Sequence, residues 1–126
     1  MVIVIDDNKE SIKLVSDLLH YSEIDVRSYS SGSSFLDDLP FLIENHSILL
    51  IILDIHMPGF DGFQVLNKIR RISDMDNVPV MAMTALAMKD EQIKIKSAGF
   101  DYYFSKPINI KLFLDSVFSV LQRSKV

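Results

Sequence analysis

The sequence predicts an α/β fold: a doubly wound, five-stranded parallel sheet with helices on both faces. Short apolar runs and amphipathic stretches alternate five times along the chain, as they do in parallel sheets built from crossover units. One run, Ile48 to Leu53, holds six apolar residues without interruption. It is too short to span a membrane and too continuous for a half-exposed strand, so both of its faces should be buried. With 126 residues, 48% of them hydrophobic, the chain suffices for a single core, and one domain over residues 1–126 is expected.

The first unit is an apolar strand, Met1 to Ile5, closed by Asp6 and Asp7. A helix follows over Asn8 to Tyr21, with Ile12, Val15 and Leu19 at helical spacing. Glu23 to Tyr29 has mixed polarity and suits an edge strand. Ser30 to Ser34 supplies turn and N-cap residues before Phe35, Leu39, Leu42 and Ile43. Pro40 lies inside that pattern, and because proline removes a backbone donor and crowds the preceding turn, this second helix is expected to be short, kinked or split near Leu39.

The apolar run Ile48 to Leu53 is the third strand and stops at Asp54. Pro58, Gly59 and Gly62 then break the chain before a third helix that opens at Asp61 or Gly62, with Leu66, Ile69 and Ile72 inside. Val78 to Met83 is the fourth strand, with Pro79 tolerable near its start, and it ends at Thr84. Ala85 to Ala98 is the least apolar helix, expected to touch the core weakly and to stop at Gly99. Asp101 to Ser105 is a short aromatic strand. Asn109 can cap a last helix whose stripe is Ile110, Phe113, Val117, Val120 and Leu121, fraying over Gln122 to Val126. Leu112, Leu114 and Phe118 lie off that stripe, and spare apolar residues of this kind suit a partner or dimer surface.

Composition excludes several function classes. Thirteen basic and seventeen acidic residues give a formal charge of -4, which disfavours direct nucleic-acid binding and permits a cation. The chain has no cysteine, hence no disulfide frame, thiolate site or cysteine nucleophile. Met1 leads into VIVID without a basic leader, and no apolar run approaches the roughly 20 residues of a span, so a cytoplasmic protein without membrane contact is expected. The six methionines read as core filling, and His20 and His46 as surface residues.

Asp6 and Asp7, Asp54, Thr84 and Lys106 all stand at carboxyl ends of predicted strands, the edge where open α/β sheets bind ligands. Carboxylates gathered there repel one another by roughly 4 kcal/mol per pair at about 4 Å and an effective dielectric of about 20. A hard divalent cation with oxygen ligands answers that repulsion, and Mg2+ favours one or two carboxylates, retained waters and a phosphate. Lys106 can neutralise phosphoryl oxygens, or pair with Asp54 before a phosphoryl group arrives. The constellation suits a phosphorylated carboxylate.

These residues resemble the receiver domain of two-component response regulators, over essentially the whole chain: Asp6-Asp7 after strand one, Asp54 in LDIHMPGFDG, Thr84 in MTALA and Lys106-Pro107 in GFDYYFSKPI. The resemblance implies a flavodoxin-like (βα)5 fold with strand order 2-1-3-4-5, and a phosphorylation-driven switch rather than an enzyme. It implies Asp54 as phosphoacceptor from a sensor histidine kinase or histidine phosphotransfer protein. Mg2+ would be held by Asp7, Asp6, Asp54 and the backbone carbonyl of His56. Thr84 and Lys106 would each bind a phosphoryl oxygen, Pro107 would form a cis peptide with Lys106, and Tyr103 would be the switch aromatic that follows Thr84. Altered binding of a downstream protein, including a phosphorylation-dependent homodimer, would be the output, on the face of helix four, strand five and helix five. His56 and Leu86, two residues beyond Asp54 and Thr84, would flank the route of water to the phosphoryl group.

Two positions depart from the family pattern: Ser47 replaces a frequent acid before strand three, and Pro40 interrupts helix two. An Mg2+-dependent phosphohydrolase with an aspartyl-phosphate intermediate is the alternative, disfavoured because such enzymes carry Asp-x-Asp after strand one where this chain has Asp6-Asp7-Asn8. A nucleotide-binding flavodoxin-like protein lacks its Gly-rich loop here, with four glycines in the whole chain.

Overall fold

The computed structural model describes residues 1–86 and 88–123. Its elements are β1 (Val2–Ile5), α1 (Lys9–Tyr21), β2 (Val26–Tyr29), α2 (Gly32–Asn45), β3 (Leu50–Asp54), α3 (Gly62–Ile69), a 3-10 turn (Ser73–Met75), β4 (Val80–Thr84), α4 (Lys89–Ala98), β5 (Tyr102–Ser105) and α5 (Ile110–Arg123). The five strands form one parallel sheet in the order β2-β1-β3-β4-β5. The continuous apolar run occupies the centre, where every residue of β3 is buried, and β2, with its mixed polarity, takes one edge.

Side chains alternate along each strand, so the sheet splits its apolar residues between two layers. Ile3, Ile5, Ile51, Leu53, Ile55, Val80 and Ala82 pack under α2, α3 and α4, meeting Phe35, Leu39, Leu42, Val65, Leu66, Ile69 and Ile95. Val2, Val4, Leu50, Ile52, Met81 and Met83 pack under α1 and α5, meeting Val15, Leu19, Phe113, Val117 and Val120. At about 1.5 to 3 kcal/mol for each large apolar side chain fully buried, these two layers dominate the stability of the fold.

Several elements differ from the sequence expectation. Pro40 neither shortens nor splits α2: the helix runs from Gly32 to Asn45 as one element. Pro40 lies on the exposed side of that helix, so its ring faces water. Leu39 and Leu42, both buried, clamp the turns on either side against the sheet. Ile72 lies beyond α3, whose buried face is Gly62, Val65, Leu66 and Ile69. Strand β4 starts at Val80, two residues late, while Pro79 still offers its carbonyl to the Ile51 amide at 3.0 Å. Helix α4 begins at Lys89 instead of Ala85. It buries Ile95 among its described residues, the weak core contact its polarity predicts, and ends at Gly99 with φ +103°, a conformation glycine adopts without steric cost. Ile110 opens α5 but is 48% exposed, outside the stripe of Phe113, Val117 and Val120. Of the methionines, Met88 is exposed while Met57, Met75, Met81 and Met83 are buried. The frayed end expected over Gln122 to Val126 is helical through Arg123, and its last three residues lie outside the described ones.

Candidate functional site

Register brings the strand ends together. Ile5 pairs with Leu53 across β1 and β3, so Asp6 and Asp54, each one residue further, become neighbours. Asp54 pairs with Met83, which places Thr84 beside it, and Thr84 pairs with Ser105, which brings Lys106 to the same edge. Asp6 is 3% exposed, Asp54 5% and Thr84 0%, and these are the buried polar or charged residues among the described ones. A fold that buries two carboxylates and a hydroxyl at one point must compensate them there.

Lys106 supplies much of the compensation. Its Nζ donates to Asp6 Oδ2 at 2.7 Å and lies 3.4 Å from Asp54 Oδ1. The Lys106-Pro107 peptide is cis, and the Lys106 amide donates to the Thr84 carbonyl at 2.8 Å, extending the β4-β5 ladder by one rung. Asp6 is also fastened through Oδ1, which accepts from the Asn8 amide at 2.9 Å. The compensation is incomplete at Asp54. Burial and the Asp6 charge push its pKa up to about 7, against the opposing pull of Lys106. At Lys106 burial lowers the pKa, but the Asp6 hydrogen bond and the charges of Asp54 and Asp6 outweigh it and the ammonium is held above its ordinary value.

Asp7 is exposed at the rim. Asp6, Asp7 and Asp54 each place an oxygen within 4.8 Å of the others, so the three could hold a metal ion. The donor set is all carboxylate oxygen, which fits a hard cation such as Mg2+ and suits a soft thiophilic metal poorly.

Thr84 is turned to the loop that follows it: its Oγ1 accepts from the Leu86 amide at 3.0 Å and sits 3.4 Å from the Leu86 carbonyl. Tyr103 pairs with Ala82 in the β4-β5 ladder and therefore shares its face with Thr84, two residues beyond Ala82, on the α4 side of the sheet. Its side chain is outward, 41% exposed. His56 points its Nε2 at Glu91 Oε1, 2.9 Å away in the first turn of α4. Glu91 is a residue that sequence reasoning did not single out. It is one acid in a charged helix, and no spacing rule links it to a residue 35 positions earlier.

The response regulator receiver domain model matches residues 2–118. The chain belongs to that family. It is similar to the polar-differentiation response regulator DivK of Brucella ovis, 32% identical over 120 residues that cover 95% of this chain and 94% of the relative. Among solved structures, the Francisella response regulator 1452 receiver domain matches with a TM-score of 0.82 and 27% identity, covering 98% of this chain and 97% of that one. Vibrio cholerae chemotaxis protein CheY4 matches with a TM-score of 0.84, covering 95% of this chain and 97% of that one, at 23% identity, and shares the fold. Receiver domains are phosphorylation-dependent signalling switches. Among the described residues no helix is long and apolar enough to cross a membrane.

Proposed function

We propose that residues 1–126 form one receiver unit that accepts a phosphoryl group on Asp54 from a sensor histidine kinase or a histidine phosphotransfer protein. The observation that carries this is the burial of Asp54 beside Asp6 with a lysine reaching both. An Asp54 oxygen attacks the phosphorus, the phosphorus-nitrogen bond of the donor phosphohistidine breaks, and the released imidazole retains the electron pair. Such transfers need in-line positioning and charge stabilisation more than a proton relay. Lys106 meets one developing phosphoryl charge, and Asp7, with Asp6, Asp54 and the His56 carbonyl, would hold Mg2+, which supplies the remaining positive charge when bound.

The Thr84 hydroxyl faces the Leu86 carbonyl at 3.4 Å while it accepts from the Leu86 amide, so donating to a phosphoryl oxygen turns its O–H away from that carbonyl and draws the following loop inward. Space on the α4 side then opens for Tyr103, which moves from exposed to buried. That packing change, driven by a local charge, is the output. It reads out on the face of α4, β5 and α5, where a cavity of about 520 Å³ lies beside Ile93 and Tyr103, and where Leu112 and Phe118 of α5 are exposed while Leu114 packs inward. A downstream protein, or a second phosphorylated copy, docks there. The test is incubation with acetyl phosphate and Mg2+ followed by intact mass measurement. Gain of one phosphoryl group by the wild type and none by Asp54→Asn is expected; labelling that persisted in Asp54→Asn would move the acceptor elsewhere and overturn the assignment.

A further inference from the structure

From Gly62 to Ser73 the chain carries Lys68, Arg70 and Arg71 and no acid, in a protein whose formal charge is -4. Arg70 is used inside the fold: it donates to the Met75 and Val78 carbonyls at 2.9 and 3.0 Å and lies 3.2 Å from Asp101. Lys68 and Arg71 are exposed. With Gln64 and Asn67 they fall at positions i, i+3, i+4 and i+7, Arg71 just past the helix end, so the four share the outer face of α3 while Val65, Leu66 and Ile69 hold its inner face to the core.

That outer face is a groove. A cavity of about 490 Å³ is lined by Phe60, Phe63, Gln64, Asn67, Lys68 and Arg71, and it shares Phe60 and Gln64 with a second of about 440 Å³ that reaches Ser31 and Ser33 at the start of α2. Both rings are anchored from below: they pack against the buried core, and Phe63 meets Phe100 edge-on at 5.9 Å. Each ring also carries an ammonium, Lys68 Nζ 5.2 Å from the Phe60 centroid and Lys94 Nζ of α4 4.7 Å from that of Phe63. A ring holds an ammonium without neutralising it. Among the described residues Lys68, Arg71 and Lys94 pair with no carboxylate, whereas Lys13, Arg27, Arg70 and Lys106 each do. Three uncompensated positive charges therefore surround a cavity that no acid lines.

We propose that this groove docks an extended acidic segment of a partner protein. Carboxylates of such a segment pair with the forked guanidinium of Arg71 and with the two ring-held ammoniums. Gln64 gives its Oε1 to the Asp61 amide and keeps its NH2 to donate, and with the Asn67 amide it meets peptide groups of the segment, whose apolar side chains rest on Phe60 and Phe63. Two cavities joined end to end fit a chain better than a compact anion. A nucleic-acid duplex or a bilayer is broader, and past these three cations it meets the exposed acids Asp37 and Glu44 of the adjoining α2, and Asp74 and Asp76 after α3. No lining residue belongs to α4, β5 or α5, so the surface is distinct from the output face, and the inference does not rest on Asp54 as phosphoacceptor.

The experiment titrates the unphosphorylated full chain with a capped, fluorescently labelled Ser-Asp-Glu-Leu repeat peptide, reading anisotropy for affinity and amide chemical shifts for location. Shifts centred on Phe60 to Arg71, with binding that weakens as salt is raised, are expected. Arg71→Ala should weaken binding about fivefold, the worth of one exposed ion pair at the strong end of its range. Arg71→Glu combined with Lys68→Glu should abolish it, and Lys111→Glu, the same kind of charge change at an exposed position on α5, should leave it as in wild type. The Ser-Asn-Gln-Leu peptide should not bind. Absence of binding by the acidic peptide, shifts centred elsewhere, or a loss in Lys111→Glu as large as in Arg71→Ala would overturn the proposal. Tighter binding of duplex DNA or of phosphatidylglycerol vesicles through Arg71 would overturn the choice of a protein segment. Labelling of Asp54 is measured separately, so its failure would overturn the phosphoacceptor reading and leave the peptide result standing.

Discussion

Asp54→Asn should make the metal-free protein more stable, and by an amount that depends on pH. In the fold the Asp54 pKa is about 7, against an ordinary 3.8. The native state therefore holds a proton on Asp54 more tightly than the unfolded chain does, so this residue's contribution is intact below pH 3.8 and is lost as pH rises to about 7. A shift of about 3 units corresponds to about 4 kcal/mol. An amide keeps the shape and carries no charge, but its NH2 must fit beside the Lys106 ammonium, which trims the gain to about 2 to 4 kcal/mol above pH 7. Urea unfolding of wild type and Asp54→Asn between pH 4.5 and 8.5, at a matched m-value, measures the difference. It should widen steadily up to about pH 7 and then level off. A difference that stayed constant across that range, or a variant less stable than wild type at pH 8, would refute the reasoning that Asp54 is an under-compensated buried carboxylate. Mg2+ at ten times its Kd should recover about 1.4 kcal/mol in the wild type, and less in the variant.

Two further outcomes probe the same site. Asp7→Asn removes the exposed one of the three clustered carboxylates, and calorimetry should show Mg2+ affinity falling about tenfold, near 1.4 kcal/mol; unchanged affinity would remove Asp7 from the metal set. Gly62→Ala builds a Cβ 2.8 Å from the Asp54 carbonyl oxygen and 2.8 Å from the Ile55 Cα. Backbone must move, so a loss of about 1 to 3 kcal/mol in thermal unfolding and slower labelling by acetyl phosphate are expected, whereas an unchanged melting temperature and rate would show that the β3-α3 corner has slack.

The parts of this molecule that were legible in its sequence are those governed by a period. A two-residue alternation decides which side of the sheet each strand residue faces, and an uninterrupted apolar run decides which strand is central. With strand order set, register follows, and the polar residue one step past each run has no choice of neighbour: Asp6 meets Asp54, and Lys106 meets both. Pro40 misled because the rule for proline counts the lost donor and the crowding but not the two buried leucines that hold the helix around it. The start of α4 was misplaced because Ala85 to Met88 carries helix-forming residues without a cap, while Thr84 draws the Leu86 amide into a different bond. Glu91 was illegible for a related reason. Its helix has almost no apolar stripe, so its partner is decided by where Ile95 seats the helix rather than by any pattern along it. The chemistry of the site therefore sits on elements whose positions are over-determined by the core, and its adjustable parts, the β4-α4 loop and α4, sit on the element the core determines least. That division suits a signalling receiver domain: the strands that carry Asp6 and Asp54 are fixed by two buried layers, while α4 is held by few buried contacts.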